Sequence, residues 1–346
     1  MLSAPLWIDV RPGAVARLGE LLADNRISGG GHVALAVGPG LGERVAERVT
    51  PGMRNAELFT VPGCSLEVAV DLAKRVRSGS YDAVVGIGGG RTIDVAKYAA
   101  SMAGLPMVAV ATNLSHDGIC SPVSSLEHDN GKGSFGVAMP LAVIVDLDYV
   151  RAAPVQMVRA GVGDVVSNLS AIDDWLLAAQ EKGEPVDGMA VTFARTAAEA
   201  LLYRQDSVSS DAFLTVLAES LVLSGMAMAA AGSSRPCSGG DHEILHAIDQ
   251  LYPGTGNHGE LAGVGALFCC FLRGDPARTA VVSACLARHG LPKLPSELGL
   301  SDDQFAAAVD LAPRTRPGRY TILEHLDLDA AAIRRRVDEY VRAFGS

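Results

Sequence analysis

Between residues 32 and 146 the chain alternates short β-rich runs with longer stretches in which apolar positions recur every three or four residues. HVALAV (32–37), AELFTV (56–61), DAVVGIGGG (82–90), MVAVAT (107–112) and AVIVD (142–146) are the short runs. GERVAERV (42–49), LEVAVDLAKRVRSG (66–79) and TIDVAKYAASMAG (92–104) carry the helical period. Near-continuous apolar runs suit parallel strands covered on both faces, and their alternation with helices predicts an open α/β domain. After about Pro154 strand signals nearly vanish. Helical periodicity dominates over 166–182, 188–204, 211–231 and 330–344. The pattern therefore divides the chain into an α/β domain over 1–154 and an all-helical domain over 155–346, with a substrate cleft between them.

Length agrees, since 346 residues exceed the size at which one core usually stops growing. Composition narrows the function classes. A formal charge of −10 is the wrong sign for a nucleic-acid surface but leaves room for a local basic pocket that takes a small anion. The six cysteines are scattered without a CxxC pair, which predicts reduced thiols and a cytoplasmic protein. MLSAPLWIDVRPG at the start lacks a basic region followed by an apolar one, so no signal peptide is expected. The longest apolar stretch, LVLSGMAMAAAG (221–232), falls short of the roughly 20 residues of a membrane span and reads as a buried helix.

Candidate chemistry begins at GIGGGRTIDVAK (86–97), where Gly88, Gly89 and Gly90 separate a buried strand from a helix start. Glycines let a backbone approach a ligand, and the N–H groups of a helix start attract anions such as a cofactor pyrophosphate. The spacing matches neither G-x-G-x-x-G nor a P-loop. TNLSHDG (112–118) follows another strand at its carboxyl end, where open α/β sheets bind ligands. Ser115, His116 and Asp117 are contiguous there, which argues against a catalytic triad and for a ligand-binding loop.

Histidines cluster in HEILHAIDQLYPGTGNHGE (242–260). His242 and His246 stand four apart and share a helix face, while His258 follows a Pro/Gly turn. Asp164 in AGVGDVVSN can add a carboxylate from an earlier helix. Two imidazoles and one carboxylate describe a catalytic metal site with an open position. His242 to His246 also spells H-E-x-x-H, the zinc-peptidase signature with Glu243 as base, although its longer form fails at Asp249. Lys97, Lys132 and Arg235 are the basic candidates for an anionic substrate.

Taken in order, GGGRTIDVAK, TNLSHDGICSP, AGVGDVVSN, GSSRPCSGGDHEILHAID, NHGE and RYTILEHL (319–326) resemble the glycerol-1-phosphate dehydrogenase family. That family lies within the iron-containing alcohol dehydrogenase and dehydroquinate synthase-like superfamily. The resemblance implies a dehydroquinate synthase-like fold. It implies that Gly90, Arg91, Thr92, Ile93 and Asp94 cradle the phosphates of NAD(P)H beside Gly88 and Gly89. Thr112, Asn113, Leu114, Ser115 and Ser121 would contact the cofactor further along. Asp164, His242 and His258 would hold zinc, or Fe2+ or another divalent ion, with Asp117 and His246 facing the substrate. The implied reaction is hydride transfer to C2 of dihydroxyacetone phosphate, or of a close phosphate or phosphonate analogue, in a homo-oligomer. A sugar-phosphate cyclase of the dehydroquinate synthase type is the alternative, and a zinc peptidase a remote one. Gly38-Pro39-Gly40 after the first run lacks the carboxylate that would repel a 2′-phosphate, so NADPH is expected to serve as well as NADH.

Overall fold

The computed structural model describes residues 4–345 apart from 25, 30, 54, 129 and 130, so residues 1–3 of the N-terminal stretch lie outside it. Its strands are β1 (Trp7–Arg11), β2 (Val33–Val37), β3 (Ala56–Thr60), β4 (Ala83–Gly88), β5 (Met107–Ala111), β6 (Val123–His128), β7 (Gly131–Gly136) and β8 (Ala142–Asp146). Six of them form one sheet in the order β1-β8-β5-β4-β2-β3, with every pairing parallel. β6 and β7 make a separate antiparallel hairpin. The four inner strands are buried at every position, which is why they read as unbroken apolar runs.

Helices α1 (Leu18–Leu22), α2 (Leu41–Val49), α3 (Leu66–Ser78), α4 (Gly90–Ala103) and α5 (Leu147–Ala152) belong to this half. The rest of the chain is helical: α6 (Val155–Lys182), α7 (Gly188–Leu202), α8 (Asp211–Ala231), α9 (Gly240–Leu251) and α10 (His258–Leu272) come first. They are followed by α11 (Pro276–Arg288), α12 (Asp302–Thr315), α13 (Ile322–Leu326) and α14 (Ala330–Phe344). No strand follows β8 among the described residues.

Alternation along the strands sends side chains to two different cores. Val33, Leu35, Val85 and Ile87 pack with α2 and the N-terminal helices. Ala34, Ala36, Val84, Ala109 and Val143 face the other way, into a core that continues through Leu169, Leu217 and Leu245 to Phe268 and Tyr340. One hydrophobic body thus runs from the sheet deep into the helical half.

Two expectations need correction. Helix α8 spans 21 residues and holds an 18-residue window of mean hydropathy 1.7, so by length and composition it could cross a membrane, unlike the shorter stretch 221–232. Most of that window is buried in the protein, with Phe213, Leu217 and Leu221 in the core, which marks a core helix. Helix α4 starts at Gly90 rather than Thr92, so the last glycine already belongs to its first turn. All six cysteines are free and buried.

Candidate functional site

A cavity of about 740 Å³ opens where the carboxyl ends of the strands meet the helical half. One wall is the turn from β4 into α4. Gly89 is the N-cap of that helix and no side chain among the described residues caps it, so the N–H groups of the first turn face the cavity without a protein acceptor from those residues. The turn is pressed against the loop after β5: a Cβ on Gly89 would lie 2.4 Å from Asn113 Nδ2, and one on Gly90 2.0 Å from His116 Nε2. Asn113 Oδ1 is buried without a hydrogen-bond partner among the described residues, and a polar ligand in the cavity can supply one. An uncapped helix start, close-packed glycines and an unsatisfied amide oxygen fit a dinucleotide.

The opposite side holds the metal candidates. Asp164 comes from the middle of α6, His242 from the first turn of α9 and His258 from the first residue of α10. Their donor atoms all lie within 4.8 Å of one another. His258 Nε2 stands 3.4 Å from Asp164 Oδ1 and 3.2 Å from His242 Nε2. Neighbouring groups fix each donor. Asp241 binds His242 Nδ1, leaving Nε2 for a metal. The Asp117 N–H donates to Asp164 Oδ2 at 2.8 Å, leaving Oδ1 directed at the imidazoles. Glu260 reaches back to the Asn257 N–H at 2.9 Å and starts α10 at His258. Asp174 accepts from the Gly240 N–H at 2.8 Å and from Arg273, and so anchors the start of α9.

Burial shapes the charge here. It works to push the Asp164 carboxyl up, but His258, His242 and His116 outweigh it and hold the group below the usual carboxylate range. Burial next to that carboxylate drives Asp117 well above the range, and a divalent charge on the donors would pull it back down. Burial lowers His116, whose Nδ1 accepts from the Gly118 N–H at 3.0 Å. His246 is lowered far, by burial first and then by the Arg316 guanidinium, which donates to its Nε2 at 2.8 Å.

The structure sorts the sequence candidates. Gly89, Gly90, Arg91, Thr92 and Asp94 line the cavity, as do Thr112, Asn113, Ser115 and Ser121. Asp117, His242, His246 and His258 line it too. Gly88 does not, and Ile93 and Leu114 are fully buried core residues whose side chains face away from it, so any contact they make with a ligand must come from the backbone. Asp164 sits just behind the surface, 4% exposed. The H-E-x-x-H reading fails on geometry. Glu243 is fully buried, accepts from the Thr321 hydroxyl at 3.1 Å and does not line the cavity, and His246 is outside the donor group.

The three cations singled out for an anion are already engaged. Lys97 pairs with Asp94 at 3.0 Å and with the Ser121 carbonyl, Arg235 pairs with Glu184, and Lys132 pairs with Asp249 at 3.1 Å. Arg316 and Arg319, between α12 and α13, have no carboxylate at ion-pair distance among the described residues. Sequence reasoning missed them. The available signal was RTRPGRY (314–320), three arginines with no acid between Asp310 and Glu324.

A family model for iron-containing alcohol dehydrogenase matches residues 9–154. The chain is 37% identical over 339 residues to a glycerol-1-phosphate dehydrogenase (NAD(P)+) of Hyperthermus butylicus, covering 96% of each. It is 31% identical to the enzyme of the same name from Staphylothermus marinus, covering 98% of this chain and 97% of that one. Among solved structures, a probable glycerol dehydrogenase from Sinorhizobium meliloti superposes with a TM-score of 0.80 at 21% identity, covering 99% of this chain and 98% of that chain, a likeness of fold.

Proposed function

Because the chain belongs to the glycerol-1-phosphate dehydrogenase family of iron-containing alcohol dehydrogenases, we propose that it reduces dihydroxyacetone phosphate to sn-glycerol 1-phosphate with NAD(P)H. The observation that carries this reading is a single cavity with an uncapped helix start on one wall and the Asp164, His242 and His258 donors on the other. Two imidazoles and one carboxylate suit zinc, with Fe2+ the competing ion. When bound, the divalent ion supplies a Lewis acid and the nicotinamide a hydride.

The protein's own groups do the rest. Asp241 and the Asp117 N–H hold His242 and Asp164 in place. Arg316 occupies Nε2 of neutral His246, which fixes the ring and keeps the N–H on Nδ1, where it can donate a hydrogen bond to a substrate oxygen. Asp117, lining the cavity beside Asp164, orients the substrate hydroxyl. The first-turn N–H groups of α4 take the cofactor pyrophosphate. The six buried, free cysteines fit a reducing cytoplasm, and a homo-oligomer is the assembly we propose.

The test is oxidation of NADH and NADPH by the purified protein with dihydroxyacetone phosphate, before and after chelation. Stoichiometric cofactor turnover that is lost on chelation and restored by zinc or Fe2+ supports the dehydrogenase. Phosphate release from a longer, ring-forming sugar phosphate with no net cofactor oxidation would indicate the cyclase instead.

A further inference from the structure

Behind His246 lies a polar group of which the reaction as described uses only the contact from Arg316 to the ring. Ser234 and Ser238 sit in the segment before α9, and Arg316 and Arg319 in the segment before α13. Ser234 Oγ accepts from Arg316 Nη1 at 3.2 Å and from Arg319 Nη2 at 3.0 Å. With both acceptor positions occupied, its own proton is free to be donated. Arg319 also binds the Ser238 carbonyl. Ser238 is 4% exposed, its hydroxyl has no hydrogen-bond partner among the described residues, and it lines the cavity together with Ser234 and Arg316. Arg235, next in sequence, adds a third guanidinium but is neutralised by Glu184. Burial, then Arg316 and Arg235, brings Arg319 down to about 10.

Two adjacent guanidinium groups with no paired carboxylate among the described residues, and two hydroxyls with protons to give, lack an anion. We infer that Arg316, Ser234 and Ser238, with Arg319 behind them as a positioning residue, form the subsite that grips the phosphate (or phosphonate) of the substrate. The inference rests on the ketone-reductase reading above. The guanidinium fork matches a tetrahedral oxyanion in a way that an ammonium does not. The position suits the chemistry too. Arg316 touches His246, whose ring centroid lies 6.5 Å from that of His242, so a short chain can reach from the metal to the fork. Arg316 then has two duties, seating His246 and binding the phosphate.

The test compares Arg316→Gln and Ser238→Ala with the unaltered holoenzyme, on dihydroxyacetone phosphate and on dihydroxyacetone. The ratio of kcat/KM for the phosphorylated over the unphosphorylated substrate is expected to fall about 100-fold in Arg316→Gln and about 10-fold in Ser238→Ala. Equal losses on both substrates would mean that Arg316 serves only to hold His246, and would overturn the assignment. So would a raised KM for NADPH alone, which would give the group to the cofactor. Calorimetric titration with inorganic phosphate reads the subsite without turnover. Binding to the unaltered protein, weakened about tenfold in Arg316→Gln, would uphold the subsite even if dihydroxyacetone phosphate proved not to be a substrate. Equal phosphate affinity in all three proteins would sink it. Should the glutamine variant fail to fold, Arg316→Lys keeps the charge and loses the fork. Its substrate ratio is expected to drop about tenfold, and an unchanged ratio counts against the proposal.

Discussion

At the scale of single residues, neighbours separate the roles of Asp164, His242, His246 and His258. Asp164, His242 and His258 converge, whereas His246 is turned to Arg316. Asp164→Ala, His242→Ala and His258→Ala should each lose the metal and the activity while still binding cofactor. His246→Ala should keep the metal and lose most turnover. Elemental analysis of the four variants decides between these roles, because a three-ligand site keeps its ion when a fourth neighbour is removed. Glu243 offers a different test. Burial, with Glu324 and Asp174 close by, pushes its carboxyl up to about 9 from 4.5. Between those values the folded state keeps a proton that the unfolded chain releases, so the group costs stability as pH rises through this window and nothing below it. Glu243→Gln should therefore raise Tm at pH 8 and leave it unchanged near pH 4.5. The gain at pH 7 should be at most about 3 kcal/mol. A gain of equal size at both pH values would mean that packing, not charge, is responsible.

Whole elements bring the donors together through glycine. A Cβ on Gly163, next to Asp164, would stand 2.1 Å from the Gly259 carbonyl oxygen, and one on Gly259, next to His258, 1.7 Å from that of Ala160. Helices α6 and α10 thus touch backbone to backbone beside the site. Gly259→Ala must push them apart, and should lower Tm and weaken metal retention together, with a loss of about 1–3 kcal/mol or more. A normal metal content with a lowered Tm would show that the contact is structural only. On the cofactor side, Glu43 turns back to cap the Gly40 N–H at 3.0 Å and leaves Pro39 and Leu41 on the cavity wall. No carboxylate from this turn lines the cavity, so kcat/KM for NADH and NADPH should differ by less than about 100-fold. These elements were unequally legible in the sequence. The inner strands announced themselves because both faces are buried. β1 did not, as an edge strand carrying Asp9 and Arg11. Nor did the hairpin, whose VSSLEH and GKGSFG are polar and half exposed. The start of α6 was hidden because QMVRAGVGD is rich in small residues that bury without a 3.6-residue rhythm. The grouping of Asp164, His242 and His258 could be read from residue type and resemblance. The arginine pair could not, because whether a cation is neutralised depends on contacts from distant segments.

For the molecule as a whole, the proposed boundary at 154/155 separates sheet from helices but does not divide the core. Ala36, Val84 and Val143 share a hydrophobic body with Leu245, Phe268 and Tyr340. A single cooperative transition is therefore expected in calorimetry, and two resolved transitions would show the halves melting independently. The same continuity governs traffic through the cleft. Where two domains have separate cores, a hinge can swing them apart at little cost, and ligand exchange waits on that swing. Here the two walls are rooted in one mass of packed side chains, so parting them exposes hydrocarbon to water. A standing aperture is therefore the expectation, with exchange of cofactor and substrate paced by side chains and loops at its rim rather than by a swing of the halves.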